Sequence, residues 1–241
     1  METGTYGAIY RISNGQNDRL EACTENLSNS MTPGYRRIIA TQGKFDAFLT
    51  QATAKASKSP DNMVVDFTPG PIRQTDNPLD MAITGKGFFV VQKDGNEYYT
   101  RNGTFTRTSD GTLINSGGLT LTGDKGPIRV PLNTDLSKLT IDANRTLVAD
   151  NQSLGRVRIA TFDNTGTLSR VGPTLFAAPP GTAAQQDTTS KVTNRAVEGS
   201  NASIFEEMTE LVSCTRAQEA CQKMIHASDQ AESKAIDAYS R

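Results

Sequence analysis

The 241-residue chain is 36 % hydrophobic, 6 % aromatic and without Trp, a composition that supplies only a modest core for its length. With 25 basic and 26 acidic residues the formal charge is -1, which gives no electrostatic footprint for nucleic acid or an anionic membrane, and both are set aside as partners. No stretch approaches the roughly 18 consecutive apolar residues of a membrane span, and the start Met1-Glu2-Thr3-Gly4-Thr5-Tyr6 lacks the basic onset and apolar run of a secretion signal, so neither direct membrane insertion nor an ordinary secretory route is expected.

Tyr6, Ser13, Leu20 and Leu27 form one heptad row, and Ile9, Gln16 and Cys23 form the other. This spacing predicts a helix from Tyr6 to Leu27 that Thr32-Pro33-Gly34 ends, with Gly34 in the left-handed conformation. Ser13 and Gln16 weaken the middle of the seam, so the helix is not expected to be stable alone. Residues 51–62, rich in Ala, Lys and Ser, read as a flexible connector.

From about Met81 to Ala178, short runs of Val, Ile, Phe, Tyr and Thr are broken by Gly and Asx-Gly pairs, the texture of an antiparallel β domain. Phe88-Phe89-Val90-Val91 and Glu97-Tyr98-Tyr99-Thr100 flank Asp94-Gly95, a hairpin signal because both turn residues tolerate positive φ. Asn102-Gly103, Asp110-Gly111 and Gly117-Gly118 supply further turns, and residues 177–190 read as a loop returning to a C-terminal helix.

That helix is expected to open with Ser200 or Asn201 as N-cap and Glu206 and Glu207 at its positive end. Its stripe runs Ile204, Met208, Leu211, Cys214, Ala217, Cys221, Met224, Ser228, Ala231, Ala235 and Ala238, and the small residues after Leu211 permit close helix approach. The fold class expected is α+β, with long N- and C-terminal helices pairing as a coiled-coil-like stem and a central antiparallel all-β domain. The alternative is two amphipathic helices that only cover a core. The expected divisions are an N-terminal axial helix over 1–35, an extended connector over 36–80, the β domain over 81–195 and a C-terminal axial helix over 196–241. The residues expected at assembly contacts are Tyr6, Ile9, Leu20, Cys23, Leu27, Gly34, Ile204, Met208, Leu211, Ala217, Cys221, Met224 and Ala231.

A convergent catalytic site is not found. The single His, His226, falls within the C-terminal helix, and Gly85-Lys86-Gly87 lacks the third Gly and the βαβ context of a dinucleotide fingerprint. Asp80, Asp94, Asp110, Asp124 and Asp150 sit in or beside turns, where Asp bonds to nearby backbone and supplies no acid–base pair. Cys23, Cys214 and Cys221 are an odd count without CxxC. Cys214 and Cys221 stand seven positions apart, about 10 Å along a helix and beyond disulfide reach. Cys221 and His226 do not share a helix face, which argues against zinc. The three thiols read as small hydrophobes, and no catalytic, cofactor or metal site is expected.

Three blocks carry a resemblance that covers nearly the whole chain. Glu25-Asn26-Leu27-Ser28-Asn29 with Thr32-Pro33-Gly34-Tyr35-Arg36 is the first. Leu79-Asp80-Met81-Ala82-Ile83, Gly85-Lys86-Gly87-Phe88-Phe89 and Tyr99-Thr100-Arg101-Asn102-Gly103-Thr104-Phe105 form the second. Glu198-Gly199-Ser200-Asn201 with Glu207-Met208 and Arg216 form the third. Together they resemble the flagellar basal-body rod and hook family, departing from it at Glu25, where Asn is usual, and at Gln218, where an aromatic is usual.

The resemblance implies an inner tube of terminal helices carrying an outer β domain, and a structural rather than enzymatic role. It further implies export through the flagellar type III apparatus without a cleaved signal, and assembly in the periplasmic rod with copies of itself and other rod and hook-basal-body subunits. A helical array of heterologous contacts propagates because no rotation closes it. The short chain resembles the proximal-rod type, Thr75-Asp76-Asn77-Pro78-Leu79-Asp80 resembles the distal-rod type, and a short hook-type paralogue is a third reading. A secreted β-rich appendage or adhesin is the remaining alternative, and it would be expected to carry a signal or an anchor.

Overall fold

Asp94 and Gly95, with φ of 50° and 80°, turn the chain between strands Phe88–Lys93 and Asn96–Thr100, which pair antiparallel with Lys93 opposite Asn96. The positive φ at both positions matches the right-handed twist of the flanking strands, so the hairpin forms where the sequence predicts it. The computed structural model describes residues 3–41, 63–150 and 152–239, and the connector expected over 51–62 lies outside them. The described residues fall into two units. One gathers those of Met1–Ser28, Ile38–Asp66 and Ala202–Arg241, and the other Asn29–Arg37 and Phe67–Asn201.

The second unit is built on an antiparallel sheet of ten strands among the described residues. Strand Phe88–Lys93 lies at its centre, bonded to Asn96–Thr100, Thr120–Gly123 and Ile159–Thr161. Both faces of this strand are covered, which explains why the sequence there is a continuous apolar run and not an alternating one. Phe89 meets Phe105 edge to face at 5.5 Å within a cluster of Val91, Leu113, Leu121, Leu147 and Ile159. Phe88 points the other way, into Phe67, Phe162 and Phe176 at centroid distances of 5.8, 6.1 and 6.1 Å. Smaller ladders pair Lys191–Asn194 with Met81–Thr84 and Ala196–Glu198 with Ile72–Gln74, so the two ends of this unit are stitched together.

The other unit holds helix α1 (Thr3–Ser28), helix α2 (Ile204–Tyr239) and a two-stranded ribbon of Ile38–Ala40 with Met63–Val65. Here the expected fold class is corrected. The helices are unequal, 26 and 36 residues, and the bulk of the regular structure is the multi-strand antiparallel sheet. Long N- and C-terminal helices pairing as a coiled-coil-like stem are not seen among the described residues. Of the expected stripe, Cys214 and Cys221 turn inward together with Glu207, which was not in it, while Ile204, Met208 and Met224 are 39 %, 52 % and 47 % exposed. One carboxylate and two small thiols bury too little apolar area to make a hydrophobic zipper, and local polar contacts set the helix rotation in its place.

The start of α2 is also corrected. Ser203, not Ser200 or Asn201, occupies the cap position, since its carbonyl accepts the first helical bond from Glu207 N at 2.9 Å. Asn201 works elsewhere, accepting from Arg37 N at 2.7 Å and donating to Thr68 O at 3.0 Å.

Two features of the β unit yield measurable consequences. A Cβ on Gly103 would stand 1.6 Å from Met81 O, because the two backbones cross in a 2.9 Å hydrogen bond. Gly95 faces open space and needs only its positive φ. In urea titrations, Gly103→Ala should destabilise the β unit by on the order of 4 kcal/mol, against about 1 kcal/mol for Gly95→Ala. Asp187 shapes the turn into Lys191–Asn194 by accepting from Thr189 N at 2.6 Å, Thr189 Oγ1 at 2.9 Å, Ser190 N at 3.1 Å and Ser190 Oγ. Burial pushes its carboxyl up, but these bonds outweigh burial and hold it at about 2. A carboxyl depressed on folding contributes stability that is present above its unfolded value near 4 and is lost as pH falls toward 2. Asp187→Asn should therefore cost on the order of 2 kcal/mol at pH 7 and almost nothing at pH 2, which an acid titration of the two proteins reads directly.

Candidate functional site

The three sequence blocks meet at one buried carboxylate. Glu198 ends strand Ala196–Glu198 and is 1 % exposed. Its Oε1 accepts from Arg36 Nη2 at 2.6 Å and from Gly70 N at 3.0 Å, while its Oε2 accepts from Arg101 Nη1 at 3.1 Å. Arg36 and Arg101 are themselves 1 % and 3 % exposed. Burial lowers the Arg101 pKa, and Glu198 works against that shift. The guanidinium also lies 5.0 Å over the Phe88 ring and donates to Gly85 O at 2.8 Å.

Backbone chemistry brings these side chains together. The turn at Thr32-Pro33-Gly34 closes with Tyr35 N on Thr32 O at 3.2 Å, and Gly34 N donates to Glu198 O at 2.7 Å. Gly34 has φ +72°, and a Cβ there would meet Asn102 N at 2.2 Å, so only glycine satisfies both the conformation and the approach. Tyr35 is fully buried under the Arg170 guanidinium, 5.0 Å from its ring. The carboxylate is consumed by two guanidiniums and an amide, which leaves it no role as acid, base or ligand. Its role is mechanical, the clamping of three segments.

In the helical unit, Asn26 plays the comparable part. It is 1 % exposed, and its side-chain amide accepts from Ile38 N and donates to Ile38 O, both at 2.8 Å, and reaches Glu207 Oε2 at 3.2 Å. Arg19 pairs with Glu210 across the same helices. Among the residues expected at assembly contacts, Cys23 and Cys221 are buried, Gly34 belongs to the clamp, and Leu20, Leu27, Leu211 and Ala217 are half-buried. Ile204, Met208 and Met224 are exposed. Tyr6 and Ile9 fall in α1 and Ala231 in α2, with side chains outside those described. Sequence reasoning quoted Arg36, Arg101 and Glu198 within its blocks without assigning them a role. Their pairing spans 162 and 97 positions, beyond any periodicity, and the signal within reach was that each of the three blocks carries charged residues, among them Arg36, Arg101 and Glu198.

A chain organised by a buried ion clamp and a sheet, with an uncovered apolar row on a terminal helix, is a structural subunit. Residues 82–149 match the model of the flagellar hook protein FlgE/F/G D1 domain, and residues 193–238 match that of the flagellar basal body rod FlgEFG protein C-terminal region. The flagellar basal-body rod protein FlgF of Salmonella typhimurium is 30 % identical, over 98 % of this chain and 97 % of that protein. FlgF of Caulobacter vibrioides is 29 % identical over 86 % and 85 %. FlgG of Agrobacterium fabrum is 28 % identical over 89 % and 91 %. The chain belongs to the flagellar basal-body rod protein family, whose members are structural and not enzymes.

The clamp predicts an asymmetric mutational response. Glu198→Gln leaves two buried guanidiniums without a counter-charge and should cost the β unit about 3 to 5 kcal/mol, read in urea by circular dichroism. Lys138→Ala breaks only the exposed pair with Asp150 and should leave the midpoint unchanged.

Proposed function

We propose that the chain is a structural subunit of the bacterial flagellar basal-body rod, polymerising with copies of itself and with other rod and hook subunits into the shaft that transmits torque to the hook. The end-to-end identity with FlgF, 30 % over 98 % of the chain, carries this reading and favours the proximal rod. The 28 % identity with a FlgG makes the distal rod the second reading. Export through the flagellar type III apparatus without a cleaved signal, and a place in the periplasmic part of the basal body, belong to the same proposal.

Physical support comes from α2. Ile204, Phe205, Met208 and Val212 are 39 %, 83 %, 52 % and 49 % exposed and share one face through steps of three and four. An apolar row left open in one subunit is covered when a neighbouring subunit packs on it. A heterologous contact of this kind repeats along a filament. Tyr6, Ile9, Leu20, Cys23, Leu27, Gly34, Leu211, Ala217, Cys221, Met224 and Ala231 are proposed to complete or support that packing.

In a strain lacking its own copy, the wild-type chain should be recovered in purified basal bodies. Met208→Asp and Val212→Asp each place a charge on the proposed face. Both should be exported with an intact β unit yet be absent from rods, while Ser213→Lys, exposed on another side of α2, should incorporate normally. Absence of the wild-type chain from rods would overturn the role, whereas normal incorporation of both variants would overturn only the face.

A further inference from the structure

Cys23 on α1 and Cys214 on α2 meet inside the helical unit, although they come from opposite ends of the chain. Both are free thiols in the structure, 4 % and 2 % exposed. Their sulfurs and a Glu210 carboxylate oxygen all lie within 4.8 Å of one another, and Cys214 Sγ stands 3.8 Å from Glu210 Oε1. Service as small apolar fillers accounts for the burial but not for the meeting of two sulfurs. A divalent metal fits poorly. It would need both thiols deprotonated and Glu210 drawn from Arg19, and no fourth His, Cys, Asp or Glu joins the group among the described residues.

We propose that Cys23 and Cys214 form an oxidisable dithiol that a disulfide-bearing oxidant closes into a crosslink between α1 and α2. One thiol loses its proton, and its thiolate attacks a sulfur of the oxidant R–S–S–R, releasing R–SH and leaving a mixed disulfide. The second thiolate attacks the protein sulfur of that mixed disulfide and releases the other R–SH. Two S–H bonds and one S–S bond are replaced by the Cys23–Cys214 bond and two reduced thiols. The final S–S length is about 2 Å, so closure draws the sulfurs together from within 4.8 Å. Burial lifts the Cys23 thiol to about 12 and also raises Cys214, so the thiolate is scarce at neutral pH and closure is slow there. The product ties α1 to α2 covalently at this one point, independently of any neighbouring subunit.

The full-length reduced chain, incubated with oxidised glutathione and quenched by alkylation, tests this. Two of the three thiols should disappear, a single reducible band of faster migration should appear on a non-reducing gel, and peptide mapping should find Cys23 joined to Cys214. The initial rate should rise about tenfold per pH unit between pH 7 and 9, since both thiols titrate above that range. Cys221→Ser should behave as wild type, while Cys23→Ser and Cys214→Ser should give no fast band. A bond involving Cys221, glutathione adducts without an internal bond, three unreacted thiols, or complete protection by one equivalent of Zn²⁺ would each overturn the proposal. Mapping the wild-type chain decides the matter even if a variant fails to fold.

Discussion

Moving a carboxylate and two guanidiniums out of water costs several kcal/mol per ion, and only close, well-directed partners offset it. Glu198 meets that condition with Arg36 at 2.6 Å, Arg101 at 3.1 Å and the Gly70 amide at 3.0 Å. The rest of the β unit depends on this arrangement. It holds the turn of Thr32 to Arg36, the crossing at Arg101 to Gly103 and the strand Ala196–Glu198 in one mutual geometry, because displacing any of them strands a buried charge. Backbone bonds on either side, Gly34 N to Glu198 O at 2.7 Å and Gly199 N to Pro71 O at 2.8 Å, bring the same segments into register. In a structural subunit, such a junction holds three chain segments as one piece.

The helical unit follows the same logic with a neutral group. Asn26 offers a donor and an acceptor to Ile38, completing the ribbon as a neighbouring strand would, and its amide also reaches Glu207. Polar geometry therefore sets the rotation of α2. Glu207, Cys214 and Cys221 turn inward, and Ile204, Met208 and Met224 are left facing out. An isolated subunit with an uncovered apolar row has not finished burying its surface, which suits a chain whose structural role is to be one unit among many.

Local physics made part of this protein legible in its sequence. Asp94-Gly95 specified a hairpin because two adjacent residues tolerant of positive φ leave the chain few other courses. The run Phe88 to Val91 specified a strand buried on both faces, and Gly34 stands at φ +72° beyond the first helix, where its Cβ-free backbone is needed. The blocks around Gly34, Gly103 and Gly199 pointed to the family. All of these signals lie within a few residues of one another, where chirality, turn geometry and side-chain alternation act.

Tertiary structure decided what those signals could not reach. Spacing placed Ile204 and Met208 in a seam, but Asn26 and Arg19 turn Glu207 and Glu210 inward instead, and no local pattern encodes which carboxylate a distant amide or guanidinium will choose. Ser203 took the cap because the helix began at Ile204, after Asn201 had been drawn to Arg37 and Thr68. Cys23 and Cys214 read as fillers on separate helices until the rotation of α2 set their sulfurs together. The identity of Glu198 as the clamp was equally hidden, since its partners stand 162 and 97 positions away and a charged residue announces burial only through the opposite charge that the fold delivers to it.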